Sequence, residues 1–221
     1  MSTWEITPEG PFSLEEAARF GFAYRHESGF DGVMRLAFCR DDTWQPAGVA
    51  LHQTPDQVVH AVGDGGASTS PQVARTLSLD VDGRGFAAVG DRDPVIGRLQ
   101  AVAPGLRPPL FASAYEAAAW CVLSARRPAR QMSMVRERLA AAHGVTLEVA
   151  GQPLPCFPGP AALLEVVSFP GLDEVKIERL HAVARAALDG QLDTIALRAL
   201  DPTEAAARGS GSPASDPSPP T

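Results

Sequence analysis

The sequence predicts an α+β protein in which a sheet precedes a set of helices. Three observations point there. Short β-rich runs separated by turn signals fill roughly the first hundred residues. From about residue 107 the apolar positions switch to the 3.6-residue period of amphipathic helices. Residues 209–221, GSGSPASDPSPPT, then carry no apolar side chain beyond one Ala. The expected organisation is an N-terminal α+β domain with an antiparallel sheet over 1–106 and a helical domain over 107–207. A Gly/Ser/Pro tail over 208–221 is too polar to order itself.

In the first domain, residues 3–7 are a strand candidate. Ser13-Leu14-Glu15-Glu16 has the form of a capping box and opens a helix running to about 23. Asp31-Gly32 signals a turn before a strand at 33–38. Two more strands, 47–53 and 57–62, flank the turn Thr54-Pro55-Asp56, which makes a meander. Residues 63–70 form a Gly/Ser loop. Its GDGG lacks a following GK[ST], so it is not a phosphate loop. A helix enters at Pro71 and runs to about 79. Asp91-Arg92-Asp93-Pro94 opens another, to about 103.

The second domain centres on two helices within 113–144, around a basic break at 124–130. Tyr115, Ala118, Ala119 and Val122 fall on one face of the first helix. Ser113 and Glu116 have capping-box spacing at its start, and Pro128 forces its end. Met132, Val135, Leu139 and Ala142 mark the buried face of the second, and Gly144 suits its end. A loop with Pro153, Pro155, Pro158 and Pro160 follows. Helices are expected at 160–167 and 173–189. The second of these turns Val175, Leu180, Val183, Ala184 and Ala187 inward and stops at Gly190. A last short helix is expected within 203–208.

The formal net charge of −7 argues against a general nucleic-acid coat protein. Charge is uneven, however. Residues 124–138 hold five Arg against one Glu, a local balance of +4. Arg126, Arg127 and Arg130 are open to two readings, a solvated basic turn or a corner that grips phosphates. Cys39, Cys121 and Cys156 are too widely spaced for a disulfide frame or a zinc site, and Cys121 beside Trp120 reads as core packing. The five His residues show no ligand spacing, so no metal or cofactor is expected. No apolar run approaches the roughly 20 residues of a membrane span. No secretion signal is evident, and a cytoplasmic protein is the default expectation.

Ordered motifs resemble one family. Leu77-Ser78-Leu79-Asp80 with Asp82-Gly83, and Asp93-Pro94, precede a PGLRP junction at Pro104-Gly105-Leu106-Arg107-Pro108. Ser113-Ala114-Tyr115-Glu116-Ala117, Trp120 and Leu123-Ser124 follow. Phe157-Pro158 with Leu163-Leu164 comes next, then Phe169-Pro170-Gly171-Leu172 with Lys176, Glu178, Arg179 and Leu180. Over about 10–207 this order resembles the 3-methyladenine DNA glycosylase II family of the helix-hairpin-helix DNA glycosylase superfamily. The resemblance implies base-excision repair, with double-stranded DNA as partner and hydrolysis of the N-glycosidic bond of alkylated bases. Such enzymes bend the duplex and flip the damaged base into a pocket, where a carboxylate stabilises an oxocarbenium-like sugar. It places Ser124, Ala125, Arg126, Arg127, Arg130 and Gln131 in the DNA-inserting loop. Phe12 falls where the family often has an aromatic residue near the base pocket, with plain core packing as the alternative.

The chain departs from the family in two ways. Ala125 replaces a Gln of the inserting loop, and Arg127 stands where an apolar residue is common, so no wedge residue is assigned. The family also continues past Asp201-Pro202-Thr203-Glu204-Ala205 into an LPGxG-type hairpin and then a catalytic Asp. Here the resemblance stops near 207, which implies a partial helix-hairpin-helix glycosylase domain, impaired DNA binding and no catalysis. No catalytic residue is assigned. Asp173, Asp189 and Asp193 read as helix caps or turn residues. A non-catalytic DNA-binding or interaction module is the other expectation.

Overall fold

The computed structural model describes residues 2–20 and 29–204. β1 (Ser2–Ile6) and α1 (Leu14–Phe20) come first. β2 (Met34–Cys39), β3 (Pro46–Gln53) and β4 (Val59–Gly63) form the meander, and β1 adds to the β4 edge. The sheet is antiparallel throughout, in the order β1-β4-β3-β2, with Trp4 opposite Ala61 and Leu51 paired with both Ala61 and Met34. Leu36, Phe38, Val49, Leu51, Val59 and Ala61 carry its fully buried face. They pack with Phe12, Leu14 and Ala17 of the α1 region and with Val73 and Leu77 around α2 (Ser70–Thr76). The Gly/Ser loop contains a single 3-10 turn, Gly66–Ser68.

The expected helix at 91–103 has a companion. α3 (Ala87–Arg92) and α4 (Pro94–Val102) are separated at Asp93, an extended residue whose carboxylate accepts from Val95 N at 2.8 Å and Ile96 N at 3.3 Å. That N-cap starts α4 at Pro94. Arg107 of the PGLRP segment ties this region down. Its guanidinium, 9 % exposed, donates to the carbonyls of Glu9, Pro11, Ser78 and Val81 at 2.6–3.1 Å.

The second core gathers α5 (Ala114–Ser124), α6 (Ala129–His143), α7 (Pro160–Leu164) and α8 (Glu174–Leu188), followed by α9 (Thr194–Arg198). Several details differ from expectation. On α5 the buried residues are Tyr115, Glu116, Ala119 and Leu123, and on α6 Ala140 takes the place expected of Ala142. On α8, Val175 is exposed, while Lys176 and Ile177 turn inward. Cys121 is exposed and is not core. α9 replaces a stretch that gave no helix signal. The expected helix at 203–208 runs out of the described residues, as do the end of the 13–23 helix and the tail.

The helical half also contains strands where a proline loop was expected. β5 (Thr146–Val149) and β6 (Gln152–Pro155) make a hairpin turning at Ala150 and Gly151, both with positive φ, at 45° and 77°. This hairpin packs on the N-terminal sheet. A Cβ on Gly48 would stand 2.7 Å from Val149 Cγ2, and Arg35 of β2 donates to the Ala150 carbonyl at 3.4 Å. Arg35 also forks onto Asp31, whose carboxyl it holds down to about 2. The sheet and the helical core therefore interlock through this hairpin, well beyond the residues 106–107 at which a junction is expected. No helix among the described residues is long and apolar enough to cross a membrane.

Candidate functional site

The basic break is a corner closed by hydrogen bonds at the end of α5. Ser13 and Ser113 cap α1 and α5 in the same way, each hydroxyl accepting from the N–H three residues on at 3.2 Å. α5 is terminated in several steps. Ser124 Oγ donates back to the Trp120 carbonyl at 2.8 Å, and Ala125 N donates to Cys121 O at 3.1 Å. Arg126 then takes positive φ, 57°, which lets Arg127 N reach Ser124 O at 3.1 Å. Pro128 has φ −58° and stands as the N-cap of α6, with no side-chain cap bond. Within four residues the chain has reversed from one long helix into the next.

Ala125, Arg126, Arg127, Arg130 and Gln131 are exposed on this corner, and Ser124 is half-buried. The structure thus brings together the six residues expected of the DNA-facing loop. Among the described residues Arg126, Arg127 and Arg130 have no side-chain ion pair. The expected basic balance is smaller at the surface, because Arg136 points inward. Its Nη2 sits 2.8 Å from Glu116 Oε2, and its guanidinium lies over the Phe157 ring at 5.3 Å.

Below the corner lies a residue whose role the sequence did not single out. Lys176 is 8 % exposed, and its Nζ donates to the carbonyls of Val122 at 2.6 Å, Leu123 at 2.7 Å and Ala125 at 3.1 Å. These are the end of α5 and the start of the corner. Asp173 sets its position by capping α8, accepting from Lys176 N at 2.8 Å. Burial pushes the Lys176 amine below its ordinary range, and Asp173 works against that shift. The available signal was a lysine four residues before the buried Leu180.

Some carboxylates of the helical part hold caps or a buried pair, whereas Glu137, Glu174 and Glu178 are exposed. Asp173 caps α8, Asp193 caps α9 by accepting from Ala196 N, and Asp189 closes α8. Glu116 is buried against Arg136. Phe12 is 2 % exposed inside the N-terminal core, with its carbonyl accepting from Gln53 Nε2. A separate cavity of about 380 Å³ lies between Trp44, His143, Cys156, Phe157 and Leu188. Among the described residues no carboxylate lines it, so none of them is placed there to stabilise a cationic sugar.

The architecture matches solved structures. A 3-methyladenine DNA-glycosylase from Archaeoglobus fulgidus superposes with a TM-score of 0.69 at 17% identity, over 82% of this chain and 66% of that one. The chain has the DNA glycosylase fold. MBOgg1 in complex with a low-affinity DNA ligand gives a TM-score of 0.67 at 17% identity, covering 92% and 69% of the two chains. The Clostridium acetobutylicum 8-oxoguanine glycosylase/lyase, in complex with double-stranded DNA containing cytosine opposite 8-oxoG, gives 0.63 at 16% identity, covering 98% and 75%. The chain spans about two thirds to three quarters of the length of these DNA glycosylases. No family model and no curated relative matches the sequence.

Proposed function

We propose that the protein binds duplex DNA through the α5–α6 corner, as a relative of base-excision-repair glycosylases for alkylated bases, and that these 221 residues alone do not hydrolyse the glycosidic bond. The observation that carries the binding is the trio Arg126, Arg127 and Arg130, exposed and without ion pairs among the described residues, on a backbone held by helix-end hydrogen bonds. Three free guanidiniums on a fixed reversal suit phosphates on either side of a bent duplex. The fold is one that solved DNA complexes share, and the ordered motifs over 10–207 point to the alkylated-base branch. The absence of catalysis rests on the carboxylates. Asp173 and Asp193 are occupied in caps, and Glu116 is held in a buried pair.

Binding of a fluorescent duplex across a range of salt tests the first part. Each phosphate contact contributes about −0.9 to the slope of log K against log salt, so Arg126, Arg127 and Arg130 changed together to Ala should flatten the slope by roughly 2 to 3. An unchanged slope refutes the corner as the DNA face. The second part is tested on methylated duplex. Base release by the wild-type chain that disappears in the triple variant would show that it is a working glycosylase. A non-catalytic binding module is the second reading, supported by the commitment of Asp173, Asp193 and Glu116 to caps and a buried pair. It differs in showing no preference for methylated over undamaged duplex.

A further inference from the structure

Lys176 is the only lysine in the 221 residues, among 19 Lys and Arg in total. Arginine supplies every other basic side chain, including the exposed ones at the corner. The single exception is buried at the end of a helix. A helix end presents converging carbonyls. A compact ammonium with three tetrahedral donors can meet three of them at once. Lys176 Nζ does so, reaching Val122 O, Leu123 O and Ala125 O at 2.6, 2.7 and 3.1 Å.

We propose that Lys176 is the positioning residue of the DNA-facing corner, an internal cation that pins the C-terminal carbonyls of α5 and thereby fixes the direction in which Arg126, Arg127 and Arg130 meet phosphate. This inference rests on the reading of the corner as the DNA face. Two of the three carbonyls belong to the last turn of α5, where helix carbonyls have no partner within the helix and the dipole is negative. The third, Ala125 O, belongs to the residue immediately before Arg126, whose positive φ begins the reversal. The cation therefore acts on both sides of the bend. It is itself aimed by α8, because Asp173 caps that helix at Lys176 N. The second core, through α8, thus adds a long-range hold to the corner's own short-range hydrogen bonds. Preorganisation matters here, because mobile arginines lose rotamer freedom on binding and a mobile backbone would add to that cost.

A double-mutant cycle on the full chain tests this, with duplex affinity read by anisotropy and folding checked by circular dichroism. Lys176→Met keeps the stem and removes the charge. It should weaken binding on the order of tenfold and reduce the salt slope, since misaligned arginines neutralise fewer phosphates. The Arg126/Arg127/Arg130 triple Ala variant should lose more. Adding Lys176→Met to that triple variant should cost nothing further, because its effect passes through those side chains. Additive losses overturn the proposal, as they would mean a direct contact or a general loss of structure. If the triple variant binds normally, the corner is not the DNA face and the functional reading itself falls. If the triple variant loses binding and Lys176→Met does not, only the positioning role falls. Should Lys176→Met fail to fold, the wild-type chain decides. Amine acetylation followed by mass spectrometry reports Lys176 alone besides the N-terminus. Bound duplex should slow its modification severalfold by holding the corner closed over the amine, and an unchanged rate overturns the proposal.

Discussion

Arg136 Nη2 lies 2.8 Å from Glu116 Oε2, and this ion pair joins the middle of α6 to the first turn of α5 inside the helical core. Glu116 is 3 % exposed, and its other oxygen, Oε1, has no hydrogen-bond partner among the described residues. The pair spans the two helices that carry the basic corner. It also explains why Glu116 closes only half of a capping box: its N–H reaches Ser113, but its carboxylate is committed to Arg136.

Burial raises the Glu116 carboxyl above its ordinary 4.5, and Arg136 opposes the shift. Folded Glu116 therefore holds its proton more tightly than the unfolded chain does. Its contribution to stability is complete below the ordinary carboxyl range and is lost as pH rises through the raised value. Arg136→Met removes the opposing charge and should enlarge that loss. We expect about 3 kcal/mol of destabilisation near pH 8, from a buried charge left unpaired, and much less near pH 4. Adding Glu116→Gln should abolish the extra pH dependence that Arg136→Met introduces. Urea unfolding at the two pH values measures both.

Two glycines at turns separate crowding from backbone conformation. Gly144 follows α6 with φ −90°, which any residue can adopt, yet a Cβ there would lie 1.9 Å from Cys156 O and 2.6 Å from Ala140 O. Gly151 has φ +77° and open space around it. Gly144→Ala should cost about 3 kcal/mol, because two backbone segments must part. Gly151→Ala should cost about 1 kcal/mol, the left-handed penalty alone. Denaturant midpoints at constant slope distinguish the two.

What the sequence made legible was local. Asp93 before Pro94, Asp173 before α8 and Gly190 after it are read correctly because a cap or a left-handed stop depends on a few neighbouring residues. The six residues of the corner come together for the same reason, since Pro128 has to break the helix. Faces set by tertiary packing were less legible. Val175 is the more apolar choice for the interior, but α8 is turned so that Lys176 reaches the α5 carbonyls, and Val175 is left 52% exposed. β6 was hidden by its prolines. Residues two apart aim their N–H groups the same way, so Pro153 and Pro155 can both lack the outward one while the pairing with β5 survives. Cys121 gave no warning of exposure, because the alanine-rich α5 resembles a core helix on every side.

Phe12 offers a check on the aromatic that the resemblance placed near a base pocket. At 2 % exposure it packs with the residues of the N-terminal sheet core. Phe12→Leu should cost about 1 kcal/mol through lost packing and leave duplex affinity and its salt slope unchanged. Thermal unfolding and the anisotropy titration report these independently. A folded Phe12→Leu chain that binds duplex more weakly would favour the base-pocket reading of Phe12 over plain core packing.

The three cysteines should report the packing of the two halves through their reactivity. Cys39 at the end of β2 and Cys156 after β6 lie with their sulfurs 3.7 Å apart, both buried as free thiols. Hydrogen bonding to Cys39 and then burial push the Cys156 thiol well above its ordinary range, so little thiolate is available there at neutral pH. Cys121 is exposed on α5. A thiol-specific reagent at neutral pH should therefore modify one cysteine rapidly in the native chain, identified as Cys121 by peptide mapping, and all three in denaturant. Because Cys39 belongs to the sheet and Cys156 to the helical half, their protection depends on the two halves staying docked. Partial denaturation that exposes both before the sheet itself unfolds would show the halves separating as units. Simultaneous exposure with global unfolding is the outcome expected from the interlocked hairpin, since Arg35 and Gly48 hold β5 and β6 against the sheet.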